Sequence, residues 1–548
     1  MGKKRKTKRL PEARDRWPSY WSYGLLLIVV SFFGFIRVRL LSFPLERDEG
    51  EYAYAGQLML HGIVPYQFCY TMKLPGTAAA YAIIEAIFGQ TPAGIHWGLL
   101  LVNSATIVLV YFLAARLFGK LAGVVAGATF ALLSIEPTVL GFAGHATQFV
   151  VLPAVGGILI LLKAMESQKL ALFFWSGVLL GLAVLMKQPG IFFVFFGIFY
   201  LMQCQWKWPL DWRRLGLQEA TLLFGAILPL ALTFLIMLRA GVFQKFWFWT
   251  FSYASKYGTA LRLSDGLREL WDSGWYVVRP AIPLWVIAGA GLVTMFWDSK
   301  TRKHFLFAAS FLVFSFAAVC PGLYFRNHYF VLMLPAVSLL CAGAVRAGTN
   351  LFIESRSTQK WAALPGAIFL LALVFCIVPQ REFFFEIDPL TACRKLYATN
   401  PFAEALQISD FIKSHSTAED RIAVIGSEPE IYFYSGRLSA TGYVYMYPLT
   451  EVQPFASTMQ KEIISEVEKA RPRFVVFVDT PLSWLLHADS DTTIILWAEK
   501  YVQTGYQLAG IIDMLAAGSQ YHWEDAKSYG PRSPYRIFVF ERVPTRSP

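Results

Sequence analysis

Charge is what this chain has least of. Only 16% of its 548 residues are charged, against 56% that are hydrophobic. A soluble protein of this size needs far more charge to cover its surface, so a wholly soluble chain is excluded. Cysteine is scarce as well. The six residues are scattered, with no CxxC pair and no ligand spacing, which leaves no cysteine-based metal motif. A glycine-rich phosphate loop is missing: Ile425-Gly426-Ser427-Glu428 lacks the required glycine spacing. No cleavable signal peptide is expected, because the first apolar run is long and no small-residue cleavage site follows it.

The apolar residues are clustered. Long apolar runs repeat from Trp21 to about Gln380, and from Arg381 onward the composition is that of a soluble domain. The chain therefore divides into a basic tail (1–20), a membrane domain (21–380) and a globular domain (381–548). A helix needs about 20 apolar residues to cross the hydrocarbon core. The runs predict eleven spans, near 21–41, 95–115, 121–138, 147–163, 171–186, 189–203, 217–238, 278–296, 304–320, 329–346 and 362–379. The break at Lys187-Gln188-Pro189-Gly190 could instead be a kink.

Charge placement tests this count independently. With the N-terminus inside, the cytoplasmic gaps contain Arg116 and Lys120; Lys163 and Lys169; Lys207, Arg213 and Arg214; Lys300, Arg302 and Lys303; and Arg346, Arg356 and Lys360. All five fit the positive-inside pattern. An odd number of spans places the C-terminal domain outside the cytoplasm, as expected of a multi-pass plasma (inner) membrane protein. The net charge of +12 has the same origin: MGKKRKTKRL, Arg14 and Arg16 mark the cytoplasmic end and suit contact with anionic membrane lipids. No nucleic-acid partner is expected.

Polar chemistry collects on the exoplasmic side. A first loop, 42–94, holds Glu46, Arg47, Asp48, Glu49 and Glu51; a second, 240–277, contains FQKFWFWTFSYASKYG; turns at 141–148 and 321–328 face the same way. Transporters more often place ionisable groups near the bilayer midplane. Asp48 and Glu49 lie just past the first span, ahead of Tyr52 and Tyr54. A carboxylate against an apolar wall serves as a general base or cation ligand; the plainer reading is a solvated surface pair. Lys73, in TMKLPG, precedes a segment at 77–88 that is too short for a span and reads as an interfacial helix. It can reach a phosphate as a point charge or simply snorkel. Arg326, Asn327, His328 and Tyr329 open the tenth span as donors to phosphate oxygens or as an interface anchor. Glu136 could orient an acceptor or share a divalent cation with Asp48, and His145 could donate to a sugar or phosphate oxygen beside Gln148; a metal site needs more convergent ligands than this. Cys69 and Cys393 both fall on the exoplasmic side, which makes them the one disulfide pair to consider.

The last third has mixed α/β texture. RIAVIG, PRFVVFVD, YQLAGII and YRIFVFERV read as strands, and TMQKEIISEVEKA as an amphipathic helix. Their alternation predicts a small α/β sandwich that docks an acceptor or caps the active face.

Between residues 20 and 345 the chain resembles the GT-C class of glycosyltransferases that depend on polyprenyl-phosphate sugars, which includes the protein O-mannosyltransferases and the aminoarabinose transferases. The resemblance lies in ERDEGEYAYAGQLMLHG, YTMKLPG, HATQFVVLPAV, LAVLMKQPGIFF and YFRNHYFVLMLPAVSLL, in that order. It implies a GT-C-like helical membrane domain and an inverting transfer of sugar from a polyprenyl-phosphate carrier to an exoplasmic glycan, lipid or protein. It also implies Asp48 as base or acceptor-positioning group, with Glu49 as its competitor, Lys73 at the donor phosphate, and Arg326 to Tyr329 as a second phosphate clamp. Tyr52, Tyr54, Glu136, His145 and Gln148 fall to acceptor or sugar binding. No cofactor is expected to be required. KLPG stands where aminoarabinose transferases have a lysine followed by two prolines, and no match to the mannosyltransferase luminal insert is found. The alternatives are a transporter or flippase of a lipid-linked substrate and a non-catalytic envelope scaffold.

Overall fold

The computed structural model describes residues 19–205, 211–259, 261–353 and 357–543. Most of the basic tail (1–18), Lys207 and Arg356 lie outside the described residues. Helices occupy the positions of all eleven predicted spans: α1 (Ser19–Arg39), then, after the first loop, α4 (Pro92–Phe118), α5 (Lys120–Leu133), α6 (Ala146–Ser167), α7 (Leu170–Met186), α8 (Ile191–Gln205), α9 (Trp212–Arg239), α11 (Ile282–Trp297), α12 (Phe305–Val319), α13 (Leu334–Ile353) and α14 (Leu364–Ile377). Among the described residues, eight helices are long and apolar enough to cross a membrane, and α5 and α7 are shorter apolar helices. The Lys187 break is real: Lys187 is extended at φ −157° and ψ 135°, and a single 3-10 turn at Gln188–Gly190 leads into α8.

Two predicted loops are themselves helical. The first holds α2 (Arg47–Leu60) and α3 (Gly76–Phe88). In the second, α10 (Leu263–Val278) runs almost directly into α11, so the helix begins well before the predicted start at 278. α2 forms because Glu46 caps it, accepting from the Glu49 amide at 2.9 Å, and because Asp48 and Glu49 lie in its first turn, where carboxylates complement the helix dipole.

The C-terminal part carries a six-stranded sheet of order β2-β1-β3-β6-β4-β5, made by β1 (Arg421–Ile425), β2 (Leu438–Ser439), β3 (Phe474–Asp479), β4 (Tyr506–Leu515), β5 (Gly518–His522) and β6 (Arg536–Arg542). β2, β1 and β3 run parallel, with Ile422 opposite Phe474; β6, β4 and β5 continue antiparallel. β1 and β3 are buried almost throughout, as parallel strands covered on both faces must be. The helix Glu404–Ser414 packs Ile408 and Ile412 against one face. The helices Ala456–Ala470 and Thr493–Gln503 pack Met459, Ile463, Ile494 and Ala498 against the other. The apolar cluster of the first face runs on without interruption into Leu45, Tyr52, Tyr54 and Leu58 around α2. All six cysteines are free, and Cys69 and Cys393 are buried thiols, so the disulfide considered above is not formed.

Candidate functional site

A cavity of about 680 Å³ opens where α2, the turns before α6, α8 and α13, the 249–258 segment and the C-terminal part meet. Asp48, Lys73, His145, Arg326, His328 and Tyr329 all line it. The sequence spreads these residues over 281 positions (48 to 329); the fold puts them in one space.

Asp48 meets three of these side chains. Its Oδ1 accepts from Lys73 Nζ at 2.9 Å, and Oδ2 lies 3.5 Å from His145 Nδ1 and 4.0 Å from His328 Nε2. The two imidazoles stack with centroids 3.9 Å apart and planes within 4°. Burial pushes the Asp48 carboxyl up, but Lys73 and the histidines outweigh it and hold it well below the usual carboxylate range. Lys73 also donates to Glu51 Oε2 at 2.5 Å and lies 4.4 Å from the Tyr52 ring centroid. Burial lowers its pKa, yet the two carboxylates raise it well above the ordinary lysine value. Its charge is therefore already matched twice.

Two other cations are placed differently. Lys187 sits 3.8 Å from the Tyr329 ring centroid and Arg326 5.5 Å from that of Tyr324; neither forms an ion pair among the described residues. Burial lowers the Lys187 pKa to about 7. Gly322, Leu323 and Phe325 have φ of 80°, 59° and 42°, so the turn that presents Arg326 is strained backbone of the kind that collects at functional sites.

Several expected site residues are elsewhere. Glu49, fully buried, turns away from the cavity: its Oε1 accepts from the Gly144 amide at 2.6 Å and lies 3.2 Å from His96 Nε2. It fixes the turn that carries His145, because neighbouring positions on a helix point about 100° apart. Tyr54 accepts from the Ser439 amide at 2.8 Å. Tyr52 lines a separate small apolar pocket with Glu51 and Lys73. Gln148 donates to the Ser134 carbonyl at 3.5 Å, and Glu136 accepts from Gln380 at 2.7 Å; neither lines the cavity. The pair Asp48 and Glu136 is thus corrected as a cation site. The group that converges is Asp48, His145 and His328, whose ligand atoms lie within 4.8 Å of one another.

Sequence reasoning missed Lys187, Glu51, Tyr445, Tyr447 and Glu451, which also line the cavity. Lys187 had a signal: it is a basic residue between spans on the side the charge rule leaves poor in lysine. Glu51 had one too, three residues after Asp48 on the same helical face. The C-terminal residues had none.

Residues 73–237 match the family model described as dolichyl-phosphate-mannose-protein mannosyltransferase. A search of curated protein sequences finds no match. ArnT from Cupriavidus metallidurans, solved bound to undecaprenyl phosphate, superimposes with a TM-score of 0.60 at 14% identity, covering 96% of this chain and 99% of that one. The oligosaccharyltransferase AglB from Archaeoglobus fulgidus, solved with an inhibitory peptide and a dolichol-phosphate, gives 0.53 at 14% identity, covering 93% and 75%. The chain has the GT-C fold of these glycosyltransferases. In this GT-C chain the cavity is closed on one side by Asn400, Tyr445, Tyr447, Glu451, Leu482 and Leu485 of the C-terminal part.

Proposed function

We propose that this chain transfers a sugar from a polyprenyl-phosphate carrier to an exoplasmic glycan, lipid or protein, with inversion at the anomeric carbon. The observation that carries the reading is the cavity's division of charge. A carboxylate held ionised, Asp48, shares one space with two cations, Lys187 and Arg326, that have no carboxylate partner among the described residues. Unpaired cations in a partly dry site attract an anion strongly, and the donor's phosphodiester is such an anion. The polyprenyl tail stays in lipid while the sugar projects toward Asp48.

The acceptor oxygen attacks C1 as the bond from C1 to the phosphate oxygen breaks, and the electron pair leaves with polyprenyl phosphate. Lys187 and Arg326 stabilise the charge that grows on that phosphate. The acceptor's proton passes to Asp48. Because Asp48 is a weak base in the free enzyme, it orients the hydroxyl first and takes the proton late, once the new bond has made that oxygen acidic. Lys73 and the two histidines keep Asp48 ionised, and Glu51 holds Lys73 in place.

Asp48, His145 and His328 fit a divalent cation chemically: two imidazoles and a carboxylate are the ligands of open catalytic sites. The 3.5 Å and 4.0 Å separations suit ligands sharing one ion, and neither His145 nitrogen has a hydrogen-bond partner among the described residues. Such an ion would supply extra positive charge beside the sugar. Lys187 and Arg326 already serve the leaving phosphate, so the reaction is read as not requiring it.

In this reading the N-terminus is cytoplasmic and the sheet lies outside the cytoplasm. The test is purified protein in nanodiscs with a labelled polyprenyl-phosphate sugar. Release of polyprenyl phosphate only when acceptor is added supports transfer. Movement of intact donor across the bilayer without cleavage would make the chain a flippase, and neither would leave a scaffold.

A further inference from the structure

α2 has three faces with three different tasks. Asp48 and Glu51 look into the cavity. Glu49 ties the helix to the membrane bundle. The third face, Arg47, Gly50, Tyr54 and Gln57, follows the spacing of one helical side, and each of its residues meets the C-terminal part, with Gln57 also donating to Gln90 Oε1 at 3.0 Å. At Gly50 a Cβ would lie 2.6 Å from the Glu430 amide nitrogen, so only glycine allows the two backbones to meet. Tyr54 accepts from the Ser439 amide at 2.8 Å, and Gln57 donates to the Phe433 carbonyl at 3.3 Å.

The strongest grip is on the residue next to Asp48. Arg47 is buried. Its Nε donates to the Ser427 carbonyl at 2.6 Å, and Nη2 donates to Asn400 Oδ1 at 3.0 Å and Glu428 Oε1 at 3.3 Å. The rings of Tyr447 and Phe402 lie 5.1 Å and 5.3 Å from the guanidinium carbon. Glu428 is fully buried, and its second oxygen accepts from Ser483 Oγ at 2.8 Å. Ser427 Oγ in turn donates to the Ser483 carbonyl at 2.6 Å and accepts from the Met446 amide at 2.9 Å. The loop after β1, the turn after β3 and the Tyr445–Tyr447 segment are thus locked to one another before they touch α2.

We propose that Glu428, through Arg47, is a positioning residue for the transfer reaction: the C-terminal sheet sets where Asp48 stands. A planar guanidinium held at two edges by fixed acceptors defines an orientation as well as a charge. Arg47 and Asp48 are consecutive in the first turn of α2, so fixing one fixes the other's backbone. The membrane bundle by itself supplies the cations, and the sheet supplies the alignment. This inference rests on the proposed role of Asp48.

The test uses the full chain in nanodiscs, with undecaprenyl phosphate as the binding probe and a labelled polyprenyl-phosphate sugar that the native chain cleaves as the turnover probe. Glu428→Gln keeps the size of the side chain and an acceptor for Arg47 while removing the charge. It is expected to lower the single-turnover rate about 10–100-fold, the scale of a small misplacement of a reacting group, with undecaprenyl phosphate affinity held within about threefold. In an Asp48→Asn background the same substitution should cost nothing further, because two residues that act as one unit are not additive. Should Glu428→Gln fail to fold, Arg47→Lys, which keeps the charge and loses the fork, is judged by the same outcomes. A native rate in Glu428→Gln beside an inactive Asp48→Asn overturns the positioning role alone. Losses that multiply in the double variant, or a parallel fall in affinity and melting temperature, reduce Glu428 to a structural contact and overturn it as well. A fully active Asp48→Asn removes the reading of the site and this inference with it.

Discussion

Lys187 gives the cavity a basic limit that can be measured. Burial without a paired carboxylate brings its pKa from 10.5 to about 7, so about half of the free protein carries this charge at pH 7 and about a tenth at pH 8. The sign follows from the direction. A donor phosphate restores the missing partner and favours the charged lysine, so binding takes up a proton, and affinity is full below pH 7 and falls as pH rises through it. Above that point affinity for a polyprenyl-phosphate sugar is expected to fall about tenfold per pH unit, by linkage. The donor is a phosphodiester with one charge that does not titrate in this range, so the limb belongs to the protein. Glu46 also lines the cavity, with burial raising its pKa to about 7; its ionisation adds negative charge and works in the same direction. Lys187→Arg isolates the lysine, because an arginine stays charged: the limb that remains belongs to Glu46 and to His145, which burial lowers but Glu46 and Asp48 raise above its ordinary pKa. Lys187→Met should weaken donor binding at pH 6.5 by about 10–150-fold, the equivalent of about 1.5–3 kcal/mol for a hydrogen bond to a charged group. Donor binding that is flat from pH 6 to 9, or a Lys187→Met variant with native affinity, would refute the reasoning.

Asp48→Asn should insert and bind donor normally and lose about 10²–10⁴-fold in single-turnover rate; near-native turnover with a hydroxyl acceptor removes Asp48 from the reaction. Lys73→Ala should cost turnover more than donor affinity, since its charge is matched by Asp48 and Glu51; equal losses in both would return it to the phosphate. Chelation is expected to leave transfer within about twofold while zinc titration still shows one site that His145→Ala loses; activity abolished by chelator and restored by one metal would make the ion a cofactor. A reporter fused after Pro548 should be active only outside the cytoplasm and one within 204–216 only inside, and a cytoplasmic C-terminus would break the eleven-span topology.

The helices and strands were legible because they come from local periodicity. A helix lies at each predicted apolar run, and the runs around Ile422, Val475, Leu508 and Phe538 placed β1, β3, β4 and β6. What periodicity cannot give is which way a polar side chain turns. Asp48 and Glu49 are indistinguishable in sequence, yet one faces the cavity and the other holds Gly144. Lys73 looked like a free cation because its partner Glu51 was not paired with it, whereas Lys187 hid inside a helix break. The grip on Arg47 was beyond reach for another reason: its partners Asn400, Ser427 and Glu428 lie 353 to 381 positions away, and no local pattern encodes such a meeting.

The late position of Glu428 in the chain has a consequence for biogenesis. α2 leaves the ribosome among the first segments, whereas the loop that seats Arg47 is followed by β3 and β6, without which its sheet is incomplete. Under the proposed roles, a nascent chain halted after α14 would hold the cavity cations Lys187 and Arg326 and no aligned carboxylate. In the proposed reading, competence to cleave the donor therefore arrives only after β3 and β6 have been made.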